Sequence, residues 1–269
     1  MQNKEKKVIR QAVRSSYGDI AKAEASSCCC DCGTGETPTA NPSAEDVSLG
    51  LGYSNEDVSG VPEGANMGLG CGNPQAIASL QPGETVVDLG SGGGFDCFLA
   101  AKSVGEKGQV IGVDMTPEMV EKARDNADKS GFSNVEFRLG EIEHLPIADN
   151  SANVIISNCV INLSPEKDTV YKETFRVLKN GGRLAITDVV ATDQLPEDVK
   201  KDMNLHTSCL SGASQIDDLK AMLEAAGFIN IRIKPLENSK KIISQWTKDS
   251  KLEDVVFSAT VEALKPPQV

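Results

Sequence analysis

Short apolar runs alternate along most of the chain with longer stretches whose apolar positions recur every three or four residues. The pattern becomes regular from residue 84. Residues 84–89 (ETVVDL), 109–114 (QVIGVD), 135–139 and 152–157 (ANVIIS) read as strands. Between them, 95–104 and 117–130 carry helical spacing; the second has Thr116 as N-cap, Pro117 at the first helical position and Gly131 as its stop. A helix over 167–178 ends at Asn180-Gly181-Gly182, before a fifth strand at 183–189. A helix over 216–226 stopped by Gly227, then strands at 228–233 and 255–262, complete the pattern.

Strands that alternate with helices in this way form a parallel sheet with right-handed crossovers. The expected fold is α/β, a Rossmann-like doubly wound sheet, mostly parallel with an antiparallel closing strand. Three regions are expected: an N-terminal helix and cysteine-rich arm over 1–60, a ligand-binding core over 61–190, and a region over 191–269 that closes the sheet and completes the substrate site. Val8, Ile9, Val13 and Tyr17 mark the N-terminal helix over 4–25. Residues 26–46 are rich in Cys, Gly, Thr, Pro, Ala and Ser, with almost no large apolar side chain, and predict a mobile loop.

Charge narrows the partners. The 269 residues carry 27 Lys+Arg against 39 Asp+Glu, a formal charge of −12. A broad phosphate-binding face needs clustered cations, so no nucleic-acid partner is expected. No apolar run approaches the roughly 20 residues that span a bilayer, and Met1-Gln2-Asn3-Lys4-Glu5 lacks the apolar core of a signal peptide. The expectation is a soluble, cytoplasmic monomer without a membrane partner. Eight cysteines change this plain picture: Cys28, Cys29, Cys30 and Cys32 cluster, while Cys71, Cys97, Cys159 and Cys209 stand singly. Without an export signal these are read as free thiols, available for packing, metal binding or redox chemistry.

The first strand runs into Asp88-Leu89-Gly90-Ser91-Gly92-Gly93-Gly94. A dinucleotide fingerprint needs G-x-G-x-x-G, and the sixth position from Gly90 is Phe95, so that pattern fails. D-x-G-x-G-x-G remains, with Asp88 ahead of glycines that let a ligand approach the backbone. Asp114 ends the second strand, where a carboxylate accepts hydrogen bonds from both hydroxyls of a ribose; Met115 and Thr116 follow it. Gly140-Glu141-Ile142-Glu143 places acceptors after the third strand, within reach of an adenine amino group, and Ser157-Asn158 ends the fourth. An adenosine ligand without a pyrophosphate fits this set. Over roughly residues 75–190 the arrangement resembles class I S-adenosylmethionine-dependent methyltransferases. The resemblance implies S-adenosyl-L-methionine held by Asp88, Gly90, Ser91, Gly92, Gly94, Asp114, Met115, Thr116, Gly140, Glu141, Ile142, Ser157 and Asn158.

Three cysteines sit in motifs of their own: Met67-Gly68-Leu69-Gly70-Cys71-Gly72-Asn73-Pro74, Ser157-Asn158-Cys159-Val160-Ile161-Asn162-Leu163-Ser164-Pro165, and Cys209-Leu210-Ser211-Gly212-Ala213. With Gly105-Glu106-Lys107-Gly108, they resemble the arsenite methyltransferases over roughly residues 50–235. Trivalent arsenic is thiophilic and takes three thiolates in a pyramid with its lone pair free. The resemblance therefore implies that Cys71, Cys159 and Cys209 hold arsenic, at the sheet edge where the methyl donor also binds. The substrate implied is arsenite or its thiol conjugates. Methylation raises arsenic to the pentavalent state, so repeated turnover calls for a thiol reductant of the thioredoxin or glutathione kind, with thioredoxin as a partner. The family carries a further functional cysteine near its N-terminus, and one of Cys29, Cys30 or Cys32 takes that role here.

Two readings stand beside this one. A methyltransferase of a small organic metabolite needs a placed base, and His206, His144, Tyr171 and the acids sit in no motif that compels it. A non-catalytic thiol binder of metalloid or zinc could pair Cys28 or Cys29 with Cys32, but a second ligand pair of that spacing is missing. No structural metal is expected. Cys97, beside Phe98 and Leu99, reads as a core residue.

Overall fold

The sheet is organised around its first strand. β1 (Thr85–Leu89) pairs in parallel with β2 (Gln109–Asp114) on one side and β4 (Ala152–Asn158) on the other. β3 (Val135–Leu139) continues beyond β2, and β5 (Leu178–Ala191) beyond β4. The two-residue β6 (Ser214–Gln215) pairs with the end of β5. β8 (Val256–Leu264) inserts antiparallel between β5 and β7 (Ile229–Pro235), giving the order β3-β2-β1-β4-β5-β8-β7. The order reverses at β1/β4, where an open α/β sheet forms its ligand crevice. The computed structural model describes residues 2–22, 42–201, 207, 209–244, 252 and 254–268. Among these, no helix is long and apolar enough to cross a membrane.

Alternation along the strands feeds two helical layers. Val87, Leu89, Ile155, Leu184 and Ile186 face a core shared with Val177 and Leu223, from α7 (Lys167–Val177) and α9 (Ile216–Ala226). Val86, Val110, Val154, Ile156 and Ala185 face the opposite core with Phe98 and Val120, from α5 (Phe95–Val104) and α6 (Pro117–Ser130). Glycines punctuate these helices as expected: Gly131 and Gly227 end α6 and α9 in left-handed backbone. Thr116 occupies the N-cap position of α6, but its side chain makes no capping hydrogen bond.

The N-terminal helix α1 runs over Gln2–Lys22; the cysteine cluster Cys28, Cys29, Cys30 and Cys32 lies outside the described residues. Two readings of the local pattern are corrected. The loop expected to reach residue 46 gives way to α2 (Ala44–Gly50), because Ser43 and Asp46 form a reciprocal capping box. The fifth strand starts at Leu178 rather than 183, since Leu178 already pairs with Ala152 and pairing resumes at Arg183 after a register shift, with Gly181 at φ 78°. Two further short helices, α3 (Asn55–Ser59) and α4 (Gln75–Ala78), flank the Cys71 loop, and α8 (Glu197–Lys201) follows β5.

Candidate active site

A cavity of about 360 Å³ opens at the C-terminal ends of β1, β2 and β4. Its floor is the glycine loop after β1. Gly90 sits at φ 68°, and a Cβ there would fall 2.5 Å from Val160, so only glycine lets the loop pass the β4 end. Asp114, at the tip of β2, accepts from the Gly92 amide at 3.0 Å and the Thr116 amide at 2.8 Å. These bonds hold the carboxylate in place, and each oxygen keeps a lone pair for a hydroxyl donor. Burial pushes its pKa up, against those amide bonds.

Two further carboxylates lie beside it. Asp88 is buried and pushed well above the usual range by burial and then by Asp96; the Cys97 thiol donates to it at 3.2 Å. Asp96, in the first turn of α5, accepts from the Tyr53 hydroxyl at 2.8 Å and from the Gln75 amide at 3.3 Å. Among the described residues, none of Asp88, Asp96 and Asp114 forms an ion pair. Ser91 Oγ is buried, lines the cavity and has no hydrogen-bond partner. A pocket with three buried acids free of ion pairs and an orphan hydroxyl is built for a cationic, polar ligand. S-Adenosylmethionine, with its ribose, ammonium and sulfonium groups, fits that donor set.

The far end of the cavity is lined with sulfur. Cys159 follows β4 directly and Cys209 lies beyond β5; both line the cavity, and Cys71 packs against them from the loop before α4. All three are free and buried. The Cys159 thiol contacts those of both Cys209 and Cys71, and these neighbours, then burial, push its pKa well up. Burial pushes Cys71 up as well. The sequence brings them together by specific local means. Gly212 lets the Cys209 loop reach the chain after β4, since a Cβ there would lie 2.0 Å from the Asn162 carbonyl oxygen. Asn158 braces the Cys71 loop: its Oδ1 accepts from the Cys71 amide at 3.0 Å and the Thr187 hydroxyl at 3.0 Å, and its Nδ2 donates to Gly72 O at 2.9 Å.

α1 roofs the cavity with Arg10, Val13 and Tyr17. Arg10 pairs with Glu143 at 3.0 Å and with Glu166, and Arg14 pairs with Glu141 at 3.2 Å. The Tyr17 hydroxyl donates to Thr207 O at 3.3 Å, and its ring lies between the carboxylate end and the sulfur end of the cavity.

Of the residues expected at the cofactor, Asp88, Gly90, Ser91, Gly92, Asp114, Met115, Thr116, Ile142 and Asn158 line the cavity. Gly94, Gly140, Glu141 and Ser157 lie outside its lining. Gly94 caps α5, the Gly140 amide bonds Asp114 O, Glu141 faces α1, and Ser157 donates to Leu89 O at 3.3 Å. Arg10, Tyr17 and Asp96 line the cavity without having stood out as site residues in the sequence, and Glu143 lines it from the acidic loop; only the position of Asp96 in the first turn after the glycines offered a signal. Cys97 is buried in the core as expected, with a thiol that also serves Asp88. His206 lies outside the described residues.

A family described as a methyltransferase domain matches residues 80–227. The crystal structure of an arsenic(III) S-adenosylmethionine methyltransferase from Chlamydomonas reinhardtii matches with a TM-score of 0.63 and 35% identity, covering 85% of this chain and 75% of that one. The chain belongs to the arsenite methyltransferase family. An arsenite methyltransferase from Halobacterium salinarum is 53% identical over 261 residues, 96% of this chain and 66% of that protein. The human arsenite methyltransferase is 37% identical over 234 residues, 84% of this chain and 59% of that protein. The chain thus spans less than two thirds of the length of the Halobacterium and human proteins. The matched stretch from Chlamydomonas covers most of the fold described above, and the family's methyltransferase domain embraces β1 to α9.

Proposed function

We propose that this protein transfers methyl groups from S-adenosylmethionine to trivalent arsenic held by Cys71, Cys159 and Cys209, giving methylated arsenicals and S-adenosylhomocysteine. One observation carries the reading: three buried thiols from three separate loops meet at one end of a cavity whose other end is lined by Asp88 and Asp114. Core cysteines ordinarily pack singly against apolar side chains. Three gathered around Cys159, two of them lining a cofactor cavity, match the coordination preference of a thiophilic centre.

Arsenite enters as the hydroxide or a thiol conjugate and exchanges its ligands for the three cysteine sulfurs, the thiol protons leaving with the displaced groups. S-Adenosylmethionine, when bound, supplies a sulfonium methyl group. Asp114 orients the ribose, and Asp88 and Asp96 supply negative charge to the cationic donor. α1 covers the cavity through Arg10 and Tyr17 and keeps water out. The arsenic lone pair then takes the methyl group in line. Arsenic has no proton to lose, so no general base is required, and the chain's contribution is orientation and exclusion of solvent.

Methylated arsenic is formally pentavalent. Two electrons from a pair of thiols, which become a disulfide, return it to the trivalent state for a second round. One of Cys29, Cys30 and Cys32 provides a thiol for that step, and a small-molecule thiol or thioredoxin reduces the disulfide afterwards. The protein works as a monomer in the cytoplasm, where free thiols persist. The test is incubation with arsenite, S-adenosylmethionine and either glutathione or thioredoxin, followed by mass spectrometry of arsenic species. Mono- or dimethylated arsenic is expected, and its absence under every thiol condition overturns the reading.

A further inference from the structure

β5 places a carboxylate among the thiols. Asp188 is 5% exposed, and its oxygen and the sulfurs of Cys71 and Cys159 all lie within 4.8 Å of one another. Its Oδ1 accepts from Asn162 Nδ2 and from the Val189 amide, each at 2.8 Å, and its Oδ2 accepts from the Asn162 amide at 3.3 Å. Among the described residues no basic side chain reaches it within ion-pair distance; the buried Lys167 ammonium attracts it only from farther away. An ionised carboxylate is expensive to bury, and a neutral acceptor would satisfy the same amide donors at lower cost. Its charge is the property that calls for an explanation.

That charge does not favour thiolates. Asp188 repels negative charge on Cys71. It is also indifferent to the loaded state, because trivalent arsenic bound by three thiolates is neutral. The next step differs. The As–CH3 bond forms from the arsenic lone pair, and the sulfonium S–CH3 bond breaks with its electron pair left on sulfur. Arsenic is formally oxidised by two electrons, no proton moves, and one positive charge passes from the sulfonium to arsenic. A fixed anion beside the arsenic ligands meets that charge as it arrives.

We propose, resting on the arsenic-methylating function above, that Asp188 is the electrostatic partner of arsenic in methyl transfer, stabilising the cationic methylated centre and not the bound substrate. Only an interaction stronger in the transition state than in the ground state accelerates the step. Oriented groups of this kind in a water-excluded site are worth roughly 100-fold in rate. In this role Asp188 acts on the charge at arsenic and leaves ligation to the three sulfurs. Its role should therefore separate rate from binding.

The experiment compares the wild type with Asp188→Asn, whose Oδ1 keeps the bonds from Asn162 Nδ2 and the Val189 amide. Arsenite affinity is measured by equilibrium dialysis with elemental mass spectrometry, and methyl transfer in a single turnover on enzyme preloaded with arsenite. Expected for Asp188→Asn are an arsenite Kd within about twofold of the wild type and a transfer rate about 100-fold lower, with Asp188→Glu recovering part of the rate. If Asp188→Asn melts below the assay temperature, Asp188→Ser replaces it with the same expectations. A neutral variant that keeps its rate overturns the inference, as does one whose rate and arsenite affinity fall together. Wild-type protein that binds arsenite and makes no methylarsenic fails at an earlier point: it overturns the proposed function, and this inference with it.

Discussion

The Cys209 thiol donates a hydrogen bond to the carbonyl oxygen of Cys159 across 2.8 Å, and both residues hold left-handed backbone, at φ 63° and 60°. That conformation costs a non-glycine residue about 1–2 kcal/mol. Both residues line the cavity, so the strained backbone lies where the two loops present their thiols. Strain of this sort is held by surrounding structure at functional sites. Here the hydrogen bond between the loops, the Cys159 amide bond to Thr187 O at 2.8 Å and the close pass at Gly212 supply that restraint.

Cys159→Ser and Cys209→Ser keep the backbone and a hydroxyl in place of each thiol. Both variants are expected to fold, with melting temperatures close to the wild type. Arsenic methylation is expected to fall below about 1% of wild type in each, because a hydroxyl is a poor ligand for a thiophilic centre. Mass spectrometry of products and a thermal melt check the pair. Full activity in either variant removes that sulfur from the site.

Arg10 fastens the α1 roof. It bonds Glu143 through Nη2 at 3.0 Å and Nε at 3.3 Å, and reaches Glu166 as well. Glu143 is buried, and among the described residues it otherwise accepts only from the Ser164 hydroxyl, at 2.6 Å. Arg10→Ala leaves that carboxylate short of its cationic partner, a change expected to cost about 2 kcal/mol after allowing for the partial exposure of Arg10. With the roof loosened, the Kd for S-adenosylmethionine should rise about tenfold, roughly the same 1.4 kcal/mol that a decade in affinity represents. Titration calorimetry and a melting curve measure both. Unchanged cofactor affinity would show that α1 takes no part in closing the cavity.

Asn158 was expected to meet the cofactor, yet its side chain is engaged on every side by protein: Cys71, Thr187, Gly72 and Tyr53 all bond it. Its larger effect should fall on the sulfur end. Asn158→Ala strands the Cys71 amide and the Gly72 carbonyl, each a loss of about 1–3 kcal/mol if buried without a partner. Arsenite affinity is expected to drop about tenfold or more, with a smaller change in S-adenosylmethionine affinity. Dialysis with each ligand separates the two, and an equal fall in both would contradict the assignment.

Much of this was legible in the chain. β2, α5, α6, β3 and α9 begin and end where the apolar spacing and the flanking glycines placed them, because each boundary is set by local chemistry. The three cysteine loops were legible for the same reason, each carrying its own motif. α2 escaped notice because its start rests on two side chains, Ser43 and Asp46, inside text with little apolar content. Asp188 escaped because a single acid in an apolar strand carries no local mark. Its place beside Cys159 comes from the register of β4 on β5, which sets Asn158 against Thr187, and nothing in the spacing of either strand states that register. Arg10 and Glu143 meet across 133 positions of chain, a distance at which charge pairing leaves no trace in sequence.

The raised thiol pKa values give a pH dependence whose sign can be worked out. Burial holds the Cys71 thiol protonated, and contact with Cys209 and Cys71, then burial, does so for Cys159. Thiolate is the reactive form, and its share grows tenfold per pH unit below the pKa. Alkylation of the arsenite-free protein by iodoacetamide should therefore be slow at pH 7 and rise with a slope near one in log rate from pH 7 to 9. Stability should move the opposite way. In the unfolded chain cysteine loses its proton near 8.5, while the folded chain keeps it to higher pH and so binds more protons in that window; stability falls as pH rises above about 8.5. Arsenite takes those protons away as water, three thiols and As(OH)3 giving the thiolate complex and three waters, so loading leaves this slope in place while it should block alkylation of Cys71 and Cys159 at every pH. An alkylation series with and without arsenite decides it: iodoacetamide rates at Cys71 and Cys159 that arsenite leaves unchanged would mean that arsenic is held elsewhere.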